Sequence, residues 1–286
     1  MRESRRERRT SLSEAAGSQA APEPADRGVV DLHNHVIPGV DDGAQEEAET
    51  DAALDAMGAE GVSSLIATPH VELGLHSRGG LDDRLQSIDH GWATLVRRAE
   101  GSGVRVYRGA ELRLDTATPD LSDARLRLAG GPFVLVEFPY FIVPPRSPRM
   151  LAWLVAQGWQ PVLAHPERYA SVDPDLDVAR EWRNAGARLQ VNGGSVLGRY
   201  GEAARRLAAR LLARGWVDYL ASDYHARGAP RIAEYRAALV DHGGREQADL
   251  LMRTNPQRLL RGEMPLAVPP LEMDEPDARA VRRPGG

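Results

Sequence analysis

A chain of 286 residues has room for one large domain or two ordinary ones. Its 36 basic residues, every one an arginine, stand against 41 acidic ones; the net charge of −5 offers no global field for nucleic acid or an anionic membrane, and lysine Schiff-base chemistry is excluded. With no cysteine there is no disulfide, thiolate nucleophile or sulfur-ligated metal, so any metal must sit on oxygen and imidazole.

Residues 1–27 hold almost no large apolar side chain and are expected to form a disordered tail. They lack the apolar core of a signal peptide, and no later apolar run reaches the roughly 20 residues of a membrane span. A soluble, cytoplasmic protein without membrane insertion is expected. From residue 28 onward short β-rich runs alternate with helical patterns. In order the runs are "VVDLH" (29–33), "VSSLIATPH" (62–70), "VRVYRGAE" (104–111), "FVLVEF" (133–138), "PVLAH" (161–165), "ARLQVN" (187–192) and "VDYLASDYH" (217–225). Stretches such as "QEEAETDAALDAMGAEG" (45–61) and "GEAARRLAARLLARG" (201–215) repeat apolar residues at helical spacing and end in glycine. "GGLDDRLQSIDHGWATLVRRAEG" reads as a charged, solvated helix face. This alternation predicts one α/β domain over 28–262, either a parallel barrel or a parallel open sheet. Proline, charge and glycine then predict a second disordered tail over 263–286.

The ionisable residues collect at strand ends. Six of the seven runs finish in a metal-ligand type: His33 and His35, His70, Glu111, Glu137, His165, then Asp223 and His225; the remaining run ends in Asn192. In parallel α/β barrels these ends share one rim, where active sites are built from several strands at once. Singly, each histidine has a structural reading, and Glu137 or Asp223 could cap a following helix. Jointly, so many imidazoles and carboxylates packed together without a cation would leave several poorly satisfied, which favours metal. His76, His90 and His242 follow no apolar strand and are assigned surface roles, and the five tryptophans are assigned to core packing. A nitrogen and oxygen ligand set suits manganese, iron, zinc or cobalt better than magnesium or calcium. The ligands are too many for one ion with open positions. Two or three ions sharing a bridging carboxylate would use them, and such clusters suit hydrolysis of a phosphate ester.

The succession "DLHNH", "TPH", "GAE", "EF", "AHPERY", "QVN" and "ASDYH" resembles the polymerase and histidinol phosphatase (PHP) superfamily. More narrowly, "DLHNHVIPGVDDGA", "AHPERY" and "QVNGGSVLGRYG" resemble the CpsB/CapC-type bacterial protein-tyrosine phosphatases that accompany capsule and exopolysaccharide synthesis. The resemblance runs from Asp31 to Pro256 and implies a distorted seven-stranded (β/α) barrel holding three divalent ions, manganese first among them. It implies that His33, His35, Glu111 and Asp223 hold one ion, that Glu111 bridges to a second held by Glu137 and His165, and that Asp42, His70 and His225 hold the third, with Asp41 the weaker choice. It further implies attack on phosphorus by a metal-bridging hydroxide and a phosphotyrosine protein as substrate, such as the tail of a bacterial tyrosine kinase. Arg168 matches a phosphate-holding arginine, with an ion pair to Glu167 as its plain alternative. The second phosphate arginine is Arg227 or Arg231, with Arg227 preferred. "YFIVPPRSPRM" (140–150) is expected at the substrate entrance. The alternatives are a small-molecule phosphomonoesterase such as a histidinol phosphatase, a nuclease, which the missing basic stripe disfavours, and a catalytically silent binding module.

Overall fold

The structure, a computed structural model, describes residues 28–273 apart from 79, 117, 171 and 173–175. The expected tail over 1–27, the last part of the expected tail from 274 onward and the side chain of His76 lie outside the described residues.

All seven predicted runs form strands, but two of them break. The strands are β1 Val29–Asn34, β2 Val62–Ala67, β3 His70–Glu72, β4 Arg105–Arg108, β5 Glu111–Arg113, β6 Phe133–Glu137, β7 Gln160–Ala164, β8 Arg188–Asn192 and β9 Tyr219–Ala221. Every pairing between them is parallel, in a three-stranded sheet β1-β2-β4 and a six-stranded sheet β3-β5-β6-β7-β8-β9. The runs break at "TP" before His70 and "GA" before Glu111, where Pro69 has no N–H to give to a ladder. Across the breaks the backbone stays in register, Gly109 N–H donating to Ala67 O (2.9 Å) and Glu111 N–H to Pro69 O (3.0 Å). At the opposite margin Asp223 N–H donates to His33 O and His35 N–H to Tyr224 O, both at 2.8 Å, bringing the end of β1 beside the end of β9.

Side-chain alternation along the strands builds two apolar layers. Phe133, Leu135, Val162, Ala164, Tyr219 and Ala221 share one cluster with Leu32 and Ile66, while Val134, Val136, Leu163, Leu189, Val191 and Leu220 face the helices in another. Burial on both faces explains why the strands read as nearly continuous apolar runs. The covering helices are α1 Glu47–Ala59, α2 Leu81–Ala99, α3 Ser147–Ala156, α4 Asp177–Asn184, α5 Gly193–Val196, α6 Glu202–Ala213, α7 Ile232–Asp241, α8 Arg245–Asp249 and α9 Asn255–Leu260. The stretch read as a solvated face, α2, also buries Leu81, Leu85, Ile88 and Leu95 along one side. Trp182 is fully buried with its indole N–H on Ser147 Oγ (2.9 Å), and Trp92, Trp153, Trp159 and Trp216 are partly buried against the core. His90 is exposed.

The domain does not end at 262. Residues 263–273 fold back on α6 and α8, where Val268 and Leu271 are buried, Leu271 N–H donates to Leu212 O (3.0 Å), and Asn255 holds Leu266 through both its amide groups. Gly244 makes room, because a Cβ there would lie 2.4 Å from the Leu271 side chain. Proline-rich composition suggested a tail, but two buried apolar residues, Val268 and Leu271, anchor the extended segment. Leu271→Ala is expected to lower stability by about 2–4 kcal/mol in urea titration; a loss below about 0.5 kcal/mol would show that the segment contributes nothing.

Candidate metal centre

The inner layer leads directly to the site. Glu137 follows Phe133 and Leu135 on the same face of β6, and Asp223 follows Tyr219 and Ala221. His165 and Asp223 both adopt left-handed backbone conformations (φ 35° and 51°), which turn the chain sharply at the strand ends. Glu111, buried at the start of β5, is the hub. Its Oε1 lies 3.0 Å from His165 Nε2, and its Oε2 lies 3.0 Å from His70 Nδ1, 3.3 Å from His33 Nε2 and 3.5 Å from His35 Nε2. Yet Oε2 makes no hydrogen bond, and neither does His70 Nδ1.

The surrounding hydrogen bonds fix the imidazoles. The Gln190 amide donates to Asn192 Oδ1 (2.8 Å), so Gln190 Oε1 accepts from His33 Nδ1–H (2.9 Å). Asp41 Oδ2 accepts from His35 Nδ1–H (2.8 Å), and the Asp223 carbonyl accepts from His225 Nδ1–H (2.9 Å). All three rings are thereby left with Nε2 facing the centre, the arrangement by which outer hydrogen bonds orient metal-ligating histidines. His33 Nε2 and His35 Nε2 are 3.3 Å apart, a contact between two lone pairs that only a proton or a cation can relieve. The residues present therefore fit a set of divalent ions. Four overlapping groups have ligand atoms within 4.8 Å of one another: His33, His35 and Glu111; His33, His165 and Asp223; His70, Glu111 and Glu137; and His35, Asp42, His70 and His225. Together they contain all nine residues singled out as ligands. His165 approaches His33 and Asp223 as well as Glu111, while Glu137 stands nearer His70. Asp41, at the back of His35, is occupied; Asp42 is exposed, with Oδ1 3.5 Å from His70 Nε2 and 3.4 Å from His225 Nε2. Arg84 of α2 holds the third corner by donating to the carbonyls of Val40 and His70, each at 2.6 Å.

Without cations, protons must balance the carboxylates. Burial opposes charging of the imidazoles, but Glu111 and Glu137 outweigh it at His70, whose pKa is pushed up to about 10; Glu111 and Asp223 likewise raise His33, and Asp223, Asp41 and Glu111 raise His35. The same neighbours overcome burial at Glu111 and hold it well below the usual carboxylate range, and His35 holds Asp41 down to about 2 against its own burial.

Arg168 stands beside this cluster. Its Nη1–H donates to Asp223 Oδ2 (2.7 Å), and its guanidinium lies between the rings of Phe141 and Tyr200, 4.6 and 4.2 Å from their centroids. It makes no pair with Glu167, which is buried and accepts instead from Ser195 Oγ (2.7 Å) and Asn192 N–H (2.9 Å). Arg227 donates to the Asp42 carbonyl (2.7 Å), whereas Arg231 begins α7 and pairs with Glu234 (2.8 Å). Sequence reasoning missed Gln190, Asn192 and Asp41 as orienting groups, and Phe141 and Tyr200 as the walls around Arg168. Only the "QVN" run, ending beside the ligand-bearing strands, carried a hint of the first two.

Fold and side chains define a class: a parallel α/β protein with a nitrogen and oxygen ligand set, able to hold divalent metal, where β1, β6, β7 and β9 end and β3 and β5 begin. The chain belongs to the family described as "Capsular polysaccharide synthesis, CpsB/CapC", matched over residues 29–261. It is similar to the putative tyrosine-protein phosphatase CapC of Staphylococcus aureus, 29% identical over 200 residues, covering 69% of this chain and 77% of that protein. It is also similar to the tyrosine-protein phosphatase YwqE of Bacillus subtilis, 28% identical over 201 residues, with the same coverage of 69% and 77%. A solved structure described under YwqE from B. subtilis and CpsB from Streptococcus pneumoniae, "unique metal-dependent tyrosine phosphatases", superposes with a TM-score of 0.69 at 26% identity, over 86% of this chain and 99% of that one. The phosphotriesterase of Mycobacterium tuberculosis shares the fold, with a TM-score of 0.54 at 15% identity over 86% and 97% of the two chains.

Because protons and metal compete for the same imidazoles, metal binding should release protons. With His70 protonated up to about pH 10 in the metal-free protein, manganese affinity is expected to rise as pH increases from 6 toward 10. Titration calorimetry in buffers of different ionisation enthalpy reads this directly; binding without proton release would refute it. Stripped of metal, the protein keeps the His70 contribution fully below its unfolded pKa of about 6.5 and loses it as pH rises through about 10, which thermal melts across that range would show.

Proposed function

We propose that the chain is a metal-dependent protein-tyrosine phosphatase, with its two sheets forming one distorted seven-stranded barrel. The observation that carries this reading is the buried Glu111 Oε2, faced by three imidazole nitrogens and bonded to none. His33, His35, Glu111 and Asp223 would hold one ion, Glu111, Glu137 and His165 a second, and Asp42, His70 and His225 a third. Manganese suits the donor set best, with iron, zinc and cobalt as alternatives. Divalent ions in such a cluster supply Lewis-acid charge compensation to phosphoryl oxygens and make water a stronger nucleophile.

The chain's own groups do the positioning. Arg168 spends one N–H on Asp223 and keeps its others for phosphoryl oxygens, and Phe141 and Tyr200 hold the guanidinium plane before substrate arrives. Arg227, which donates to the Asp42 carbonyl beside the cluster, is the preferred second phosphate-binding cation, and the pairing of Arg231 with Glu234 supports that choice. A phenolate leaving group, with a pKa near roughly 10, departs without a strong general acid. Family membership and the names of its relatives support a phosphotyrosine protein as substrate, and the tail of a bacterial tyrosine kinase in polysaccharide export is the partner that fits. Action in the cytoplasm follows from that substrate; among the described residues no helix is long and apolar enough to cross a membrane.

Manganese-loaded protein is expected to hydrolyse phosphotyrosyl peptides with a higher kcat/KM than histidinol phosphate; the reverse order would replace this reading by that of a small-molecule phosphomonoesterase. Elemental analysis should show His35→Ala losing metal and activity together. Arg168→Ala should retain metal while kcat/KM falls about a hundredfold. Equal metal loss in both variants would remove the separate role of Arg168.

A further inference from the structure

Arg199, just after α5, is exposed, and its guanidinium has no hydrogen bond or ion pair among the described residues. It lines a cleft of about 210 Å³ together with Tyr200, Asp223, His225 and Arg227. The cleft opens on the metal centre through Asp223 and His225. The carboxylate in its lining is already engaged: Asp223 Oδ2 accepts from Arg168 (2.7 Å) and Asn192 (2.8 Å). Among the described residues, the Arg227 side chain donates to the neutral Asp42 carbonyl and to no carboxylate. Among the described residues, two guanidiniums without a carboxylate partner thus border one cleft beside the candidate metal centre.

The wall of the cleft is built for this shape. A Cβ on Gly194 would lie 2.8 Å from the Tyr200 ring and one on Gly193 2.2 Å from the Tyr235 ring, so both rings can lie down on α5 only because glycine occupies these positions. Arg199 stands beside Tyr200, which also borders a second groove lined by Phe141, Arg168, Tyr169 and Leu207.

We propose that this cleft is an anion subsite for the peptide flanking the phosphotyrosine, and that Arg199 selects a carboxylate side chain there. The proposal rests on the phosphatase reading, and its chemistry is that of a guanidinium fork meeting a carboxylate at a partly exposed rim, where charge complementarity sets preference and is weakened by salt.

The test uses manganese-loaded, full-length protein and peptides carrying a non-hydrolysable phosphonate analogue of phosphotyrosine, flanked by glutamate or by glutamine at the first two positions on either side. Binding is read by fluorescence anisotropy at low and high salt. The wild type is expected to bind a glutamate peptide about fivefold more tightly at low salt, a preference that shrinks at high salt. Arg199→Ala should abolish it, Arg199→Glu should reverse it, and Arg199→Lys should keep part of it. Equal Kd for both peptides in the wild type, a preference that persists in Arg199→Glu, or binding of neither peptide would overturn the proposal. Hydrolysis of the matching phosphotyrosyl peptides is measured separately. Hydrolysis without flank preference rejects the subsite alone, and flank preference without hydrolysis rejects the phosphatase reading alone.

Discussion

The site depends on one buried carboxylate. Glu111 lies 1% exposed among four imidazoles, and an ionised carboxylate in such a place must be matched by positive charge at close range. Protons on His33, His35 and His70 can supply it, and so can metal ions. The cluster of ligand residues gathers at one margin of the two sheets, past the apolar layer formed by residues such as Phe133, Leu135, Tyr219 and Ala221. Everything around it serves to hold ring orientation: Gln190 behind His33, Asp41 behind His35 and the Asp223 carbonyl behind His225.

Much of this arrangement was legible in the chain, for a physical reason. A parallel sheet buried on both faces demands continuous apolar runs, and a polar residue that ends such a run stands out against them. All seven runs became strands, and every residue marked at their ends lies in the cluster. The breaks at Pro69 and Gly109 divided the ladder into two sheets, a detail that depends on local backbone pairing and not on apolar period. The return of residues 263–273 was hidden because an extended, proline-bearing segment has no periodicity to read; its anchorage comes from Val268 and Leu271 meeting surfaces made by distant helices.

The groups that escaped reading are those whose meaning is relational. Glutamine and asparagine in "QVN" have no chemistry of their own for hydrolysis, and their role exists only through Asp223 and His33, far away in sequence. Phe141 lay in a segment expected at the substrate entrance and Tyr200 in the "QVNGGSVLGRYG" motif, but their stacking on the Arg168 guanidinium could not be read from the chain. Arg168 was legible as a cation but not in its partner: the pair with Glu167 was the plain alternative, and the burial of Glu167 against Ser195 and the Asn192 backbone removes it.

His33, Gln190, Asn192 and Asp223 close a ring: Nδ1 of the imidazole reaches the first amide, that amide reaches the second, the second reaches Asp223 Oδ2, and Asp223 Oδ1 returns to within 3.3 Å of His33 Nε2. Arg168 is fastened to the same carboxylate oxygen. The ring joins Arg168 and the His33 tautomer in one unit, in which a change at any member disturbs both. Tyr140, Phe141 and Arg199 stand outside this ring, so a substitution at any of them leaves its hydrogen bonds whole.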